Sequence, residues 1–422
     1  MVKGQNGTGR VAAIMVGVCA AVSVAVADGF RNPPDTASTL GRIGGRIAQV
    51  DDAAAAFYNP ANMVDLARPS VMVSALVGYN HADYSSAWGG ATDTEDPWKA
   101  LPSLYVVWPG GDGQYSLGFA ANLPFGRSTE WDKAGYFRYS TPYYAELSVY
   151  EFSPSFACDL GGGVSLGVGL DIYYSSLDFR QVVPWSLALG IPAPDGEMKA
   201  AGNGTGFGVN AGLTWRMTSS QRVALTYRSP FDIQYDGDLT IEDIPAGAAG
   251  MVASTSDFET KFKFPTIVGL GYGVQLTKTV RVEADVEWLQ FSRFDSLDVD
   301  AGVNNALLAS AGLSTMRQNW DDTWTFGVGG DWKFAPDWVL RAGYIYLQSP
   351  APNETFMPTM LDVNQSVVSV GLGYKHGPHA VDVAYALGIF DDRSISDNAN
   401  TAYNGDYEFE GHLAALSYSY WF

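Results

Sequence analysis

The sequence predicts an all-β protein: a fourteen-stranded antiparallel transmembrane β-barrel, its lumen plugged by a small, partly helical N-terminal hatch. Three observations carry that expectation. Apolar and polar residues alternate with period two along most of the chain, short turns and long loops alternate between those runs, and the composition is rich in glycine and aromatics but poor in charge. The 422 residues include 47 glycines, 13% aromatic and 17% charged side chains, against 47% apolar ones. Glycine costs a helix about 1 kcal/mol per residue, so the balance favours a long, curved sheet. The same numbers exclude a disordered or collagen-like chain. A net charge of −20 opposes the phosphate backbone, which proteins grip with clustered Lys and Arg, so no nucleic-acid partner is expected.

Residues 1–27 read as a secretory signal. Lys3 and Arg10 form a positive start, Val11 to Val26 is an apolar run, and Ala25-Val26-Ala27 is a small-x-small cleavage site before Asp28. An anchoring helix is the alternative, but the run falls short of the roughly 20 residues that span a bilayer. Cleavage there leaves one thiol, Cys158, so no intramolecular disulfide is available to the exported chain.

The strands are read from their alternation. In the clearest, Val280, Val282, Ala284, Val286 and Trp288 alternate with Arg281, Glu283, Asp285 and Glu287, one face apolar and the other charged. Similar runs give strands near 70–79, 101–109, 114–124, 146–160, 163–180, 205–217, 221–236, 258–276, 279–297, 320–334, 337–348, 365–376, 379–389 and 406–422. Compact turn chemistry joins alternate pairs, as at Pro109 to Gly113, Gly161-Gly162-Gly163, Thr277-Lys278 and Gly377-Pro378. Long loops near 81–100, 125–145, 181–204, 237–257, 298–319, 349–364 and 390–405 join the others. An up-and-down barrel then carries all short turns on one rim and all long loops on the other, as bacterial outer-membrane barrels do. A secreted β-sandwich or propeller also alternates, but its strands run nearer five or six residues. The chain ends on alternating Leu416, Tyr418, Tyr420 and Phe422, a pattern similar to the outer-membrane assembly signal. A fourteen-stranded barrel is too wide for its own side chains to fill.

Residues 28–69 are the candidate plug and residues 70–422 the barrel. The segment has no period-two run. Asp51-Asp52 before Ala53 to Ala56 reads as a short helix whose start acidic side chains stabilise, broken where Pro60 disfavours helix at Asn59. A periplasmic linker is the alternative.

At these residues the chain resembles the FadL/TodX family, outer-membrane transporters of long-chain fatty acids and aromatic hydrocarbons. Asp52 to Leu66, reading DAAAAFYNPANMVDL, is similar to that family's hatch signature. Asn122-Leu123-Pro124-Phe125-Gly126 with Thr129-Glu130-Trp131 resembles its third strand, and Phe152-Ser153-Pro154-Ser155 the strand after it. Trp320-Asp321-Asp322-Thr323-Trp324, Leu340 to Tyr344 with Gln348-Ser349-Pro350, and Asp391 to Ile395 resemble its late strands and loops. The resemblance covers essentially the whole chain after the signal. It implies a hatch element at Asn59, Pro60 and Ala61, and a kink at Asn122, Leu123, Pro124, Phe125 and Gly126. Proline donates no ladder hydrogen bond, so a failure of pairing at Pro124 opens a hole in the wall; the alternative is that Pro124 ends the strand at the extracellular rim.

The function expected from this is passive uptake of hydrophobic compounds across the outer membrane of a Gram-negative-type bacterium. Cargo adsorbs on apolar loop stretches, passes the hatch and leaves sideways at the kink. Candidate capture residues are Trp185, Leu187 and Leu189 in one loop and Leu307 and Leu308 in another, each stretch suited to a short amphipathic helix; packing of the loops on each other is the alternative. Arg138, Arg180, Arg228 and Arg341 are candidates for a carboxylate head group, though lumen arginines also balance lumen acids such as Asp285. Expected partners are fatty acids, aromatic hydrocarbons and detergents, with outer-membrane lipid and lipopolysaccharide around a monomer. A general polar porin or an adhesive barrel is the alternative, and an outer-membrane esterase or lipase a weaker one. Catalysis finds little support: His81, His376, His379 and His412 are scattered, no nucleophile motif stands out, and the glycine run 202–208 lacks dinucleotide-loop spacing. No cofactor or metal is expected, because Asp298, Asp300, Asp391 and Asp392 lack the glycine and distal glutamate of a calcium loop.

Overall fold

Alternation fixes which way each strand faces. Trp324, Phe326, Val328 and Trp332 project outward and stay exposed, while Thr323 and Thr325 on either side of Trp324 are buried toward the interior. The computed structural model describes residues 28–110 and 113–422; the signal assigned to 1–27 and the middle of the turn after Gly110 lie outside the described residues.

Fourteen staves form the wall. In chain order they are β1 (Ser70–Ser86), β2 (Trp98–Gly110), β3 (Tyr115–Trp131), β4 (Tyr144–Gly161), β5 (Val164–Val183) and β6 (Gly196–Arg216). Next come β7, in two pieces (Gln221–Arg228 and Phe231–Glu242), and β8, also in two (Thr255–Phe264 and Ile267–Gln275). β9 (Val280–Leu289), β10 (Thr323–Ala335), β11 (Trp338–Leu347), β12 (Gln365–His376), β13 (His379–Phe390) and β14 (Gly405–Trp421) complete the set. Each pairs antiparallel with its chain neighbours, and β14 returns to β1 from Ser70↔Trp421 to Ser86↔Gly405, closing the barrel. Closure removes the free edges that lipid cannot hydrate.

Both broken staves break at proline. Pro230 and Pro265 lie next to each other across the β7–β8 ladder, between Arg228↔Ile267 below and Phe231↔Phe264 above. The β7–β8 ladder keeps one register across the break, from Gln221↔Val274 to Thr240↔Thr255, whereas the second piece of β7 pairs with β6 from Glu197↔Glu242 to Asn203↔Asp236, one residue out of step with the first piece's Asn210↔Arg228.

Several strands extend farther than their alternation indicates. β1, β3 and β6 continue into what read as loops 81–100, 125–145 and 181–204, because polar strand tips above the bilayer lose the period-two signal yet keep their ladders. β9 is shorter than 279–297 and gives way to a 3-10 turn at Phe291–Arg293. Pro124 does not end the third strand, which runs on to Trp131.

Residues 28–69 are not a linker outside the barrel; they lie within it. Helix α1 (Ala37–Leu40) is buried throughout, helix α2 (Ala55–Tyr58) at Ala55 and Ala56, and a 3-10 turn (Pro60–Asp65) from Pro60 to Met63. Asp52 supports α2 from ahead of it, accepting the Ala54 amide at 3.0 Å, and holds Ser38 Oγ at 2.6 Å. Asn59 leaves the helix in extended conformation, and its side chain caps the following turn at Ala61 N. Space for the hatch comes from lumen-facing glycines. A Cβ on Gly327 would stand 2.5 Å from Gly44 Cα, and one on Gly167 2.3 Å from the Pro60 carbonyl carbon.

Candidate transport site

The charged face of β9 is the rail on which the hatch sits. Asp285 accepts the Arg46 amide at 2.7 Å, and Glu283 accepts the amides of Ile47, at 2.7 Å, and Ala48. Glu287 pairs with Arg31 at 2.8 Å and with Arg46. A lone carboxylate there would be costly to bury; amide donors and guanidinium partners offset that cost. A second tie runs through Asn59, whose Nδ2 donates to the Ile47 carbonyl at 2.8 Å and to Thr214 Oγ1 of β6 at 3.0 Å. Pro60 packs on Gly167, and Ala61 is fully buried beside it.

The kink lies in the wall, not at the rim. The β2–β3 ladder runs from Gly110↔Tyr115 to Leu104↔Ala121 and stops. Leu123 and Pro124 form a bulge against β4, whose pairing resumes at Phe125↔Val149. Above it, β3 meets the short strand Ala91–Glu95 at Thr94↔Trp131 and Glu95↔Glu130. Among the described residues this frames a window between residues 98–103 of β2 and 122–129 of β3.

Hatch residues occupy the edge that β2 has left. Asn32 N–H donates to the Pro124 carbonyl at 2.9 Å, and Gly126 N–H donates to the Phe30 carbonyl at 2.7 Å. Asn32 Nδ2 donates to the Leu123 carbonyl at 2.9 Å, and Arg31 bridges Phe125 antiparallel. Buried backbone groups need such partners. Phe30 also sits among Phe125, Phe264, Phe291, Phe294 and Trp320, with ring centroids 5.2 to 6.3 Å away.

Several cavities lie among these parts. One encloses about 1230 Å³ of empty space, part of it continuous with solvent, between hatch and wall; Arg31, Pro34, Pro60, Asn122, Leu123, Pro124 and Arg228 line it. A second lies behind the window at Lys99, Arg127, Thr129 and Asp362. A third reaches Phe30 from above, and a fourth, under the extracellular loops, shares Phe179, Thr359 and Met360 with it. Near the hatch start, burial pushes the Asp28 carboxyl up to about 7, against the opposing pull of Arg31. Burial likewise raises Asp362, in the loop after β11, to about 6 despite Arg127 and Ser349.

The four arginines separate. Only Arg228 lines the central cavity, where it meets Glu151 and Asp171 and lies 4.7 Å over the Phe57 ring. Arg138 pairs with Asp195 and Arg180 with Asp178, both on the long-loop side, and Arg341 bonds Asp331 and Asp382 beneath the hatch. All four already hold acids. The capture stretches are helical at Trp185–Leu189 and Asn305–Ser310, but they do not present every apolar residue outward: Trp185 and Leu308 are each 2% exposed, whereas Leu187 is 72% exposed. Leu189 and Leu307 are partly buried against the core. Sequence reasoning missed Phe30, Arg31, Asn32, Arg46 and Glu287; the charged stripe 281–287 was the signal that pointed to a partner inside.

The family model for outer membrane protein transport proteins (OMPP1/FadL/TodX) matches residues 18–422. The chain is 24% identical over 410 residues to a long-chain fatty acid transport protein of Escherichia coli O6:H1, spanning 88% of this chain and 89% of that one. It is 24% identical over 444 residues to outer membrane protein P1 of Haemophilus influenzae, spanning 91% and 93%. A Pseudomonas aeruginosa FadL homologue of known structure superposes with a TM-score of 0.81 at 21% identity, over 93% of this chain and 99% of that one. The Pseudomonas putida toluene transporter TodX superposes at 0.69 and 17%, over 91% and 99%. This chain, a barrel of the outer membrane, belongs to the OMPP1/FadL/TodX family of outer membrane transport proteins.

Proposed function

We propose that the protein carries hydrophobic compounds, fatty acids or aromatic hydrocarbons, passively through the outer membrane and releases them sideways through the window between β2 and β3. The observation that carries this reading is the bonding at the kink: on the side that faces β2, β3 is held there by hatch residues Phe30 to Asn32 and not by β2. Moving the hatch end therefore opens the wall without breaking a strand ladder. Capture begins at the extracellular helices, where Leu187 is presented, and burial of each methylene stabilises bound cargo by about 0.8 kcal/mol. The cavity under the loops shares Phe179, Thr359 and Met360 with the one at Phe30, and the cavity at the kink begins at the next hatch residue, Arg31, which supports a route in that order. Asn59, Pro60 and Ala61 keep the other end of the hatch fixed on β5 and β6.

The test is uptake of labelled oleate and ethylbenzene by cells expressing the protein, beside conductance in planar bilayers. A hydrophobic transporter gives saturable uptake with small, intermittent conductance. A steady ohmic pore with no uptake of either compound supports the polar porin instead.

A further inference from the structure

Of the ten methionines, two fall within residues 1–27, and four of the other eight line a single cavity beneath the extracellular loops: Met198, Met316, Met357 and Met360. They converge from β6, from the short strand Thr315–Arg317 and from the loop between β11 and β12, so the grouping is a product of the fold. Each is partly buried and packed against the main apolar cluster. Among the described lining residues the one charged group is Arg180, already bonded to Asp178 at 3.0 Å. Apart from that engaged guanidinium, only Gln181 and Thr359 bring polar side chains to a wall that is otherwise apolar.

Thioether side chains are unbranched, polarizable and free to rotate about three bonds, so a methionine wall re-packs around different shapes where branched walls hold one. Met360 also lines the next cavity, which ends on Phe30, so a molecule held here lies next to the hatch end. We propose that this vestibule is an adaptable receptor for uncharged hydrocarbon and sets the breadth of shapes the transporter admits. The inference rests on the transport reading above and adds which site decides selectivity.

The test uses the full-length protein in cells, with a linear alkane and a fused-ring alicyclic hydrocarbon as labelled probes. Met198, Met316, Met357 and Met360 are replaced together by Leu, and Met357→Leu/Met360→Leu serves as a milder variant if the fourfold one does not give a heat-modifiable, folded barrel. Leucine keeps the volume and apolarity but not the adaptability. The expected result is near-normal alkane uptake with fused-ring uptake reduced about tenfold, within the range one misfitted group commands in an apolar pocket. An unchanged ratio of the two probes, or an equal loss of both, overturns the inference while leaving transport intact. No uptake of either probe, or of oleate, by the unmodified protein counts against the transport reading itself.

Discussion

The amide of Asn32 donates to the carbonyl of Pro124 across 2.9 Å, so a residue of the plug completes the hydrogen bonding of the wall. Plug and wall are therefore one device: the bulge at Leu123 and Pro124 is satisfied only while the hatch end stays docked.

Replacing Asn32 by proline removes both the amide donor and the Nδ2 contact with Leu123. Leaving buried carbonyls unpaired costs about 1–3 kcal/mol each. The expected outcome is more frequent opening in single-channel recordings with an unchanged, heat-resistant barrel. Wild-type closure in Asn32→Pro would show that the hatch end does not hold the kink.

Glu287 neutralises Arg31 and Arg46 together. Its removal leaves Arg46, among the described residues, without a carboxylate partner and Arg31 with Asp28 alone, and losing one partner of a buried pair costs about 3–5 kcal/mol. Glu287→Ala is expected to release the hatch and expose Arg31 and Arg46 to trypsin while the barrel stays folded. Resistance equal to wild type contradicts the rail assigned to β9.

A side chain at Gly327 meets the Gly44 backbone, which cannot yield as a flexible side chain can. Valine suits a strand, so Gly327→Val is expected to assemble a barrel with an unseated hatch, seen as raised conductance and faster proteolysis of residues 28–69. A closed, protected hatch would contradict this.

Burial holds the Asp362 carboxyl near 6 in the folded chain, above the roughly 4 of a free aspartate. The folded state binds that proton more tightly, so its stability is greatest below about pH 4 and declines until about pH 6. Asp362→Asn is expected to stabilise the barrel by on the order of 1–3 kcal/mol at pH 7.5, and to do little at pH 4, in denaturant titrations of detergent-solubilised protein. Equal effects at both pH values contradict the burial argument.

Much of this was legible in the sequence where one physical rule dominated. Lipid on one side and lumen on the other impose alternation, and Val280 to Trp288 showed it cleanly. Strand tips such as 196–204 escaped because water replaces lipid there and the outward residues become polar. Pro124 marked the kink, yet its partners Phe30 to Asn32 lie some ninety residues upstream without period or motif. The lumen-facing glycines read only as sheet composition, although Gly327 and Gly167 are where the hatch backbone meets the wall. The arginines illustrate a related point: residue type tells that a charge is needed, not that Asp171 or Asp331 stands beside it.

The most direct test of lateral release is to stitch the window shut. If the β2–β3 register continued past Leu104↔Ala121, Leu101 would lie opposite Pro124. Cysteines at these two positions, in a Cys158→Ser background, can be joined by a short reducible thiol cross-linker, and uptake of labelled oleate and ethylbenzene measured before joining, after joining and after reduction. The expected result is loss of uptake on joining and recovery on reduction, with a folded barrel throughout. Uptake that continues at the same rate through the stitched window would contradict release between β2 and β3.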